Sequence, residues 1–264
     1  MKVNTMKRES TSEPTFFLHG GPGFSAAMER HFLGDAAGVY WWDQPRPKVG
    51  TLSPFADLVD AIIAEFSRKV EEAGASMALL ANSFGAQLAQ QLAARMPQQI
   101  SGITLVAPTY DPKDAYITLA RRLHRQTNAP LLESAATALE NDKADIEKFW
   151  QLVGAVLSTQ GFADLYWSPG FDRQRQWINQ ALADSAVFDF SANQAILNSF
   201  FAQPIVEKPS PFTGPVSIVL GKFDPLMDPA AAHHVWMRHF PQAEVSIVHA
   251  GHFPHMECPT EVWR

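Results

Sequence analysis

A serine with small neighbours lies where a buried apolar run gives way to a helical pattern. It is Ser83, in the segment ANSFG at residues 81–85. A serine on a sharp strand-to-helix turn exposes its hydroxyl for attack on an acyl carbon, and such turns usually read G-x-S-x-G. Ala81 replaces the first glycine here, which leaves the turn feasible but tighter. For this segment alone, a serine that only caps the helix is the alternative interpretation.

A histidine and an acid suited to activate that serine follow two later apolar runs. His252 lies in AGHFPHME at residues 250–257, and Asp224 ends the segment VLGKFD at residues 219–224. In a Ser-His-Asp triad the histidine accepts the serine proton, and the acid holds the imidazole in the required tautomer. We therefore predict Ser83 as nucleophile, His252 as base and Asp224 as orienting acid.

Two other acids compete with Asp224 for the third position of the triad. Asp228 stands before Pro229, a pair typical of a helix N-cap and the first helical residue. Asp111 also follows an apolar run but is less favoured. A turn residue without a catalytic role is the alternative for Asp224 itself.

Glycines suited to form an oxyanion hole follow the first apolar run. The segment HGGPG at residues 19–23 can turn sharply and point backbone N–H groups at a ligand. In acyl transfer, a donor from such a loop and the N–H of the residue after the nucleophile together hold the oxyanion. The predicted donors are the N–H groups of Gly21 and Phe84. A plain turn of glycines and proline is the alternative.

Three histidines near the end of the chain raise the question of a metal site. His249, His252 and His255 are spaced three residues apart, but no cluster of acids or cysteines completes a ligand set. Serine catalysis needs no metal. We therefore expect neither a metal nor a cofactor, and we expect His19 to support its turn and not to react.

The reactive segments must be positioned by the apolar runs that precede them. Because these runs are nearly continuous, they are typical of strands buried on both faces of a parallel sheet. The predicted strands cover residues 15–19, 39–43, 77–82, 100–106, 215–220 and 243–249. Helical patterns alternate with them, which predicts an α/β fold with right-handed crossovers.

The alternation of strands and helices breaks in the middle of the chain. Residues 107–213 read as helical segments rich in Trp, Phe and Tyr, with no strong strand. We interpret this stretch as a helical cap (lid), and residues 1–106 and 214–264 as the core. The cap either packs its aromatic side chains internally or walls a pocket over the carboxyl edge of the sheet, where open α/β folds bind ligands.

Composition excludes several classes of function. The net charge of −6 comes with no basic stripe, which argues against a nucleic-acid partner. No apolar stretch approaches the roughly 20 residues of a membrane span, and polar residues 1–13 lack the apolar region of a secretory signal. The single cysteine, Cys258, suits a reducing cytoplasm. We expect a cytoplasmic protein that acts on a small molecule or a short peptide.

The chain order of oxyanion loop, serine, acid and histidine resembles that of the α/β-hydrolase superfamily. Within it, HGGPG followed by WDQ at residues 42–44 is similar to the proline iminopeptidase branch. That resemblance implies an aminopeptidase whose cap places acids around the substrate amine. The acids that this cap offers are Glu133, Glu140, Asp164, Asp172 and Asp189. The chain departs from the branch at Pro45, which precedes Arg46, and in its ANSFG segment.

Two other branches of the superfamily share these elements. The Asn-Ser-x-Gly order at residues 82–85 is similar to that of the meta-cleavage product hydrolases, which split carbon–carbon bonds, although Phe253 stands where they usually have Trp. Carboxylesterases share every element. The resemblance implies a serine hydrolase of a small ester or amide and leaves open an aminopeptidase, an esterase and a carbon–carbon hydrolase. A non-catalytic ligand-binding homologue is the alternative from another class.

The start of the chain also differs from the superfamily. Members usually have two strands before the oxyanion loop, yet only 18 residues precede His19. We expect an α/β-hydrolase fold whose mostly parallel sheet has about six strands and lacks the first two. An exposed edge of such a sheet favours pairing with a second copy as a homodimer.

Overall fold

One parallel sheet forms the centre of the molecule in the computed structural model, which describes residues 13–34, 38–203 and 208–263. The sheet has six strands in the order β2-β1-β3-β4-β5-β6. Their bounds are β1 Thr15–Leu18, β2 Val39–Trp42, β3 Met77–Asn82, β4 Ile100–Val106, β5 Val216–Gly221 and β6 Glu244–Val248. Each predicted strand is confirmed, with ends that differ from the prediction by one residue at most. The predicted α/β fold with a parallel sheet of about six strands is therefore confirmed as well.

The strand order changes direction between β1 and β3. From β1 the chain passes to the edge strand β2, returns to β3 on the other side of β1, and then adds β4, β5 and β6 in sequence. In open parallel sheets, ligands bind in the crevice outside the carboxyl ends of the strands at such a switch point. The segments after β1 and β3 are HGGPG and Ser83, so the fold places both at this crevice.

Helices cover both faces of the sheet and fill the connection between β4 and β5. Those outside this connection are α1 Ala27–Leu33, α2 Pro54–Ala73, α3 Gly85–Arg95, α9 Pro229–His239, α10 Pro254–Glu257 and α11 Pro259–Val262. Those within it are α4 Pro112–Thr127, α5 Pro130–Asn141, α6 Ile146–Leu157, α7 Asp172–Ala181 and α8 Phe190–Phe201. Short 3₁₀ turns lie at Pro97–Gln99 and Phe162–Tyr166.

The longest helix shows how the sequence pattern builds the core. α2 begins at Pro54, whose fixed φ suits the first helical position, and it ends before Gly74, which takes a left-handed φ of 63°. Its buried stripe is Phe55, Leu58, Val59, Ile62 and Phe66. Phe66 meets Phe16 of β1 edge-to-face, with 5.4 Å between the ring centroids. The buried side of α2 therefore packs against one face of the sheet at β1.

The described residues of the region predicted as a cap form helices joined by turns. Its aromatic side chains pack partly on one another, as where Phe149 meets Tyr116 at 5.5 Å and Phe201 at 5.0 Å between ring centroids. Other aromatic side chains, including Phe162 and Trp177, line a cavity over the sheet edge. Internal packing and pocket formation are thus both present. None of the helices in the described ranges is long and apolar enough to cross a bilayer.

Candidate active site

Ser83 lies on a sharp turn between β3 and α3. Its φ of 52° falls in the left-handed region, where a non-glycine residue costs on the order of 1–3 kcal/mol unless its surroundings hold it there. Three backbone hydrogen bonds hold it: its N–H donates to the carbonyl of Val106 at 3.0 Å, and its carbonyl accepts from the N–H groups of Ala86 at 3.1 Å and Thr109 at 3.2 Å. The turn thus has the strained geometry expected for the predicted nucleophile.

Close packing explains the small residues around Ser83. A Cβ at Gly85 would overlap the carbonyl oxygen of Leu18, so α3 can approach β1 only with glycine at this position. A Cβ at Gly20 would lie 2.8 Å from the Cβ of Ser83. Ala81, in contrast, is completely buried within β3, so its methyl group fits where the usual pattern has glycine.

His252 and Asp224 form a buried pair. The Nδ1 atom of His252 lies 2.8 Å from Oδ2 of Asp224. The other carboxylate oxygen, Oδ1, accepts a hydrogen bond from the N–H of Leu226 at 2.8 Å. Because Nδ1 faces a carboxylate and donates to it, Nε2 is the nitrogen left free to accept a proton.

The loop that carries Asp224 is anchored by a cation from the cap. Arg122 of α4 donates one guanidinium hydrogen bond to the carbonyl of Asp224 and another, of 2.9 Å, to the carbonyl of Met227. Sequence reasoning missed this residue. It lies 102 positions from Asp224, and it recognises backbone carbonyls, which leave no side-chain pattern to detect.

Two further residues hold the backbone of His252. The buried side chain of Asn82 donates to the carbonyls of Val106 at 3.1 Å and His252 at 3.2 Å. The N–H of His252 donates to the carbonyl of Tyr166 at 2.7 Å, and the ring of Tyr166 packs edge-on against the imidazole. Asn82 therefore links the serine turn to the histidine loop. In the sequence, the position of Asn82 directly before Ser83 is the feature that could have indicated this linking role.

Ser83 and His252 line one cavity of about 170 Å³ between the sheet edge and the cap. Asp224 lies behind His252, outside the cavity wall. Most of the wall is aromatic or aliphatic, and the cap contributes side chains that include Tyr116, Leu157, Phe162, Trp177, Phe188 and Leu197.

Two tyrosines of the wall are neutral. Burial raises the pKa of the Tyr116 phenol to about 12 and also raises the pKa of the Tyr166 phenol. The cavity is thus a small apolar space with a few polar groups on one side.

The predicted oxyanion donors also lie on this cavity. Gly21 has a left-handed φ of 57°, and its carbonyl accepts from the N–H of Phe24 at 3.2 Å, which closes a four-residue turn. Within the described ranges, the N–H groups of Gly21 and Phe84 have no hydrogen-bond acceptor. Both residues line the wall beside Ser83. Backbone donors without a protein partner at this place are what an oxyanion would require.

The two acids that competed with Asp224 are helix caps. Asp228 accepts from the N–H groups of Ala230 and Ala231 at 3.0 Å each, which confirms its predicted N-cap role on α9. Asp111 accepts from the N–H of Lys113 at 2.8 Å and caps α4. Both carboxylates are therefore occupied with helix ends.

The histidines considered as metal ligands point to different partners. His249 packs its ring against Phe223, whereas Nε2 of His255 lies 3.3 Å from Oε1 of Glu29. Across residues 13–34, 38–203 and 208–263, no group of three or more His, Cys, Asp or Glu side chains is arranged to hold a metal ion. His19 is buried, accepts from the N–H of Gln44 at 3.2 Å, and has a pKa lowered by desolvation. Its surroundings match the predicted supporting role.

Acidic side chains are distributed differently from the arrangement that the iminopeptidase resemblance implies. The cap acids are outside the cavity wall and meet polar partners elsewhere: Glu133 and Glu140 with Arg121, Asp164 with Asn179, Asp172 with Arg175, and Asp189 with Arg46. Among the described residues, the acid that lines the cavity is Glu29 of α1, which is buried and paired with His255. Sequence reasoning did not single out Glu29, because it lies outside every motif.

Comparisons with known proteins agree with this architecture. A search of curated protein sequences finds no relative of this chain. Similar solved structures include a thermophilic esterase from Thermogutta terrifontis, with 17% identity, a TM-score of 0.62 and coverage of 96% of this chain and 88% of that one. A proline iminopeptidase-related protein from Thermus thermophilus has 24% identity, a TM-score of 0.62 and coverage of 95% and 86%. An enol-lactonase from Burkholderia xenovorans has 14% identity, a TM-score of 0.59 and coverage of 97% and 90%.

At these identities the solved structures establish the fold and not the substrate. The family described as alpha/beta hydrolase fold matches residues 16–259, a span that includes nearly all of the sheet and the whole described site. The chain therefore belongs to the α/β-hydrolase fold family, and it is a hydrolase of that family.

Proposed function

We propose that this hydrolase cleaves a small, uncharged carboxylic ester through an acyl-enzyme at Ser83. The observation that carries the proposal is the shared cavity: Ser83 and His252 both line it, and buried Asp224 is hydrogen-bonded to His252. A nucleophile, a base and an orienting acid in this relationship support acyl transfer.

In the proposed mechanism, Oγ of Ser83 attacks the acyl carbon while Nε2 of His252 accepts its proton. Asp224 holds the Nδ1–H tautomer and stabilises the imidazolium that forms. His252 then protonates the leaving oxygen, and a water molecule deprotonated by the same imidazole hydrolyses the acyl-enzyme. The N–H groups of Gly21 and Phe84 stabilise the tetrahedral oxyanion; loss of one such donor costs about 3–4 kcal/mol in comparable sites.

The dimensions and lining of the cavity support a small apolar acyl group. Its volume of about 170 Å³ is close to that of cavities that hold a single benzene ring, roughly 150 Å³. The predicted cap acids do not line it, so they offer no recognition of a substrate ammonium group there. An acyl group the size of one aromatic ring or a short branched chain fits these constraints.

One observation favours an aminopeptidase as the second candidate. Glu29 places a buried carboxylate in the cavity wall, and its partner is the imidazole of His255. An ammonium group in an apolar cavity requires a carboxylate to offset its loss of water. In this alternative, Glu29 takes the place that the resemblance assigned to cap acids.

The organisation of the chain completes the proposal. We infer that residues 107–213 act as the cap over the cavity and that residues 1–106 and 214–264 act as the hydrolase core. The single cysteine, Cys258, supports a cytoplasmic location.

Labelling by a fluorophosphonate probe tests the nucleophile. We expect wild type to label, Ser83→Ala to lose the label, and Ser101→Ala, a serine of β4 outside the cavity wall, to keep it. Folded wild-type protein that does not label would refute the serine mechanism.

Turnover of two substrate series separates the candidates. Short acyl aryl esters should be cleaved faster than aminoacyl arylamides, and Glu29→Gln should leave ester turnover nearly unchanged. If arylamides are cleaved faster, and if N-acetylation of the substrate or Glu29→Gln abolishes that activity, the chain is an aminopeptidase and the esterase proposal is wrong.

A further inference from the structure

A segment of the cap is hydrogen-bonded directly to the oxyanion loop. We define the cap strap as residues 185–193, between α7 and the first turn of α8, and the oxyanion loop as residues 19–25. The side chain of Asn193 donates to the carbonyl of Pro22 at 2.8 Å. The N–H of Asp189 donates to the carbonyl of Gly23 at 2.8 Å, and the N–H of Ser25 donates to the carbonyl of Val187 in the strap at 3.1 Å. Three hydrogen bonds therefore join the two segments.

Packing strengthens the same contact. Phe24 and Phe188 form an antiparallel backbone bridge, and their rings stack with 4.3 Å between centroids. Gly23 has a left-handed φ of 84°, and a Cβ there would overlap the carbonyl oxygen of Asp189 and lie 2.9 Å from the N atom of Asn193. The loop thus approaches the strap as closely as glycine permits.

These contacts determine which backbone groups of the oxyanion loop remain available. Pro22 and Gly23 are the central residues of the turn that the Phe24 N–H closes onto the Gly21 carbonyl. The strap binds the carbonyls of both central residues. A glycine-rich turn without such partners has many conformations of similar energy. With its carbonyls bound by the strap, the turn keeps the conformation in which Gly21 lines the cavity and its N–H has no acceptor from the described chain.

We propose that Asn193 is a positioning residue for the oxyanion hole and that the cap strap and the oxyanion loop act as one unit. The inference rests on the proposed function, because it assumes that Gly21 donates to an oxyanion. Asn193 acts through the Pro22 carbonyl and does not contact the reacting atoms. A cap displaced from the sheet therefore loses the preformed oxyanion hole as well as the cavity wall.

The variant Asn193→Leu tests the proposal, with Asn198→Leu as its control. Asn193 also lines the cavity, and leucine removes its amide donor while keeping the approximate size of the side chain. Asn198 lies on the same helix but is exposed, and its side chain accepts from Trp150 within the cap. Active enzyme is first counted by fluorophosphonate titration. kcat and KM for an aryl ester and Ki for a trifluoromethyl ketone, which forms a tetrahedral oxyanion on serine, are then measured.

A positioning role predicts a specific pattern. Asn193→Leu should lower kcat by roughly ten- to a hundredfold with KM nearly unchanged, since loosening one donor costs less than the roughly 10²–10³ of removing it. Ki for the ketone should rise by the same factor as kcat/KM falls, and Asn198→Leu should match wild type. If kcat per active site and Ki are unchanged in Asn193→Leu, or if both variants lose activity equally, the proposal is wrong.

Amide hydrogen exchange separates this inference from the proposed function. Exchange in a peptide covering residues 19–25 should accelerate in Asn193→Leu and not in Asn198→Leu, whatever the reaction is. Unchanged exchange in that peptide would overturn the role of the strap even if the enzyme is a serine hydrolase. Conversely, exchange could be faster in Asn193→Leu while the fluorophosphonate probe fails to label wild type. That result would show that the strap holds the loop but that the contact has no role in serine catalysis.

Discussion

The hydroxyl of Ser83 is hydrogen-bonded to the hydroxyl of Thr109, with 3.1 Å between the two oxygens. Thr109 lies on the loop after β4, is nearly buried and lines the same cavity. Within the described chain no hydrogen bond joins Ser83 to His252, although both line the cavity. Nucleophilic attack in the proposed mechanism therefore requires the Ser83 hydroxyl to exchange its contact with Thr109 for one with Nε2 of His252.

We expect Thr109→Val to accelerate reaction at Ser83. A buried hydrogen bond contributes about 0.5–1.5 kcal/mol, so its removal from the resting state should raise the rate of fluorophosphonate labelling roughly two- to tenfold. Thr118→Val is the control, because it removes a hydroxyl that bonds the carbonyl of Asp114 on α4. Slower labelling of Thr109→Val would show instead that the threonine assists the nucleophile.

Asp224→Asn should lower kcat by about 10⁴-fold, because an asparagine favours the wrong imidazole tautomer without changing the geometry. Asp228→Asn is a matched control four residues away. Asparagine is a good N-cap, so α9 should remain capped and ester turnover should stay close to wild type. Turnover rates at saturating ester check both expectations. A large loss in Asp228→Asn with little loss in Asp224→Asn would reverse the assignment of the two acids.

The sheet and the backbone of the site could be predicted because they depend on local patterns. Strands buried on both faces read as continuous apolar runs, and their ends were predicted within one residue. Asp228 was recognised as a cap from the proline that follows it, and its two hydrogen bonds confirm that interpretation. The turn at Ser83 was predicted from its small neighbours, and its positive φ confirms the strain.

Contacts between distant segments could not be predicted in the same way. Asn193 reaches Pro22 across 171 positions, and Arg122 reaches Asp224 across 102. Both side chains bind backbone carbonyls, which every residue has, so no pairing of residue types marks them in the sequence. The resemblance to iminopeptidases also suggested acids near the substrate, whereas the cap acids lie outside the cavity wall and Glu29 lies in it. Which face of the cap turns inward depends on tertiary packing.

His19 gives the folded chain a pH dependence of predictable sign. Desolvation lowers its pKa below the ordinary value of 6.5. At a pH between the lowered pKa of the folded chain and the ordinary pKa of the unfolded chain, the unfolded chain binds more protons at His19 than the folded chain does. The stability contributed by neutral His19 is therefore complete above pH 6.5 and is lost as the pH falls. We expect the free energy of unfolding in urea to fall more steeply between about pH 7 and 5 in wild type than in His19→Gln. Parallel curves for the two proteins would contradict this expectation.

Gly23→Ala should separate the cap strap from the oxyanion loop. Gly50→Ala is a matched control, since Gly50 has φ of 83°, almost equal to the 84° of Gly23, but has open space where its Cβ would lie. Both variants carry the penalty of a left-handed alanine, about 1–2 kcal/mol. Alanine at position 23 must additionally push away the Asp189 carbonyl, which breaks the hydrogen bond from the Asp189 N–H to the Gly23 carbonyl.

We therefore expect similar backbone strain but different losses of activity in these two proteins. Ester kcat per fluorophosphonate-titrated site should fall at least roughly tenfold further in Gly23→Ala than in Gly50→Ala, because loss of oxyanion stabilisation acts on the transition state. The melting temperature should also be lower in Gly23→Ala, since it loses a contact that Gly50→Ala keeps. Equal kcat values would mean that the oxyanion loop holds its conformation without the strap, and the link between cap position and catalysis would then be wrong.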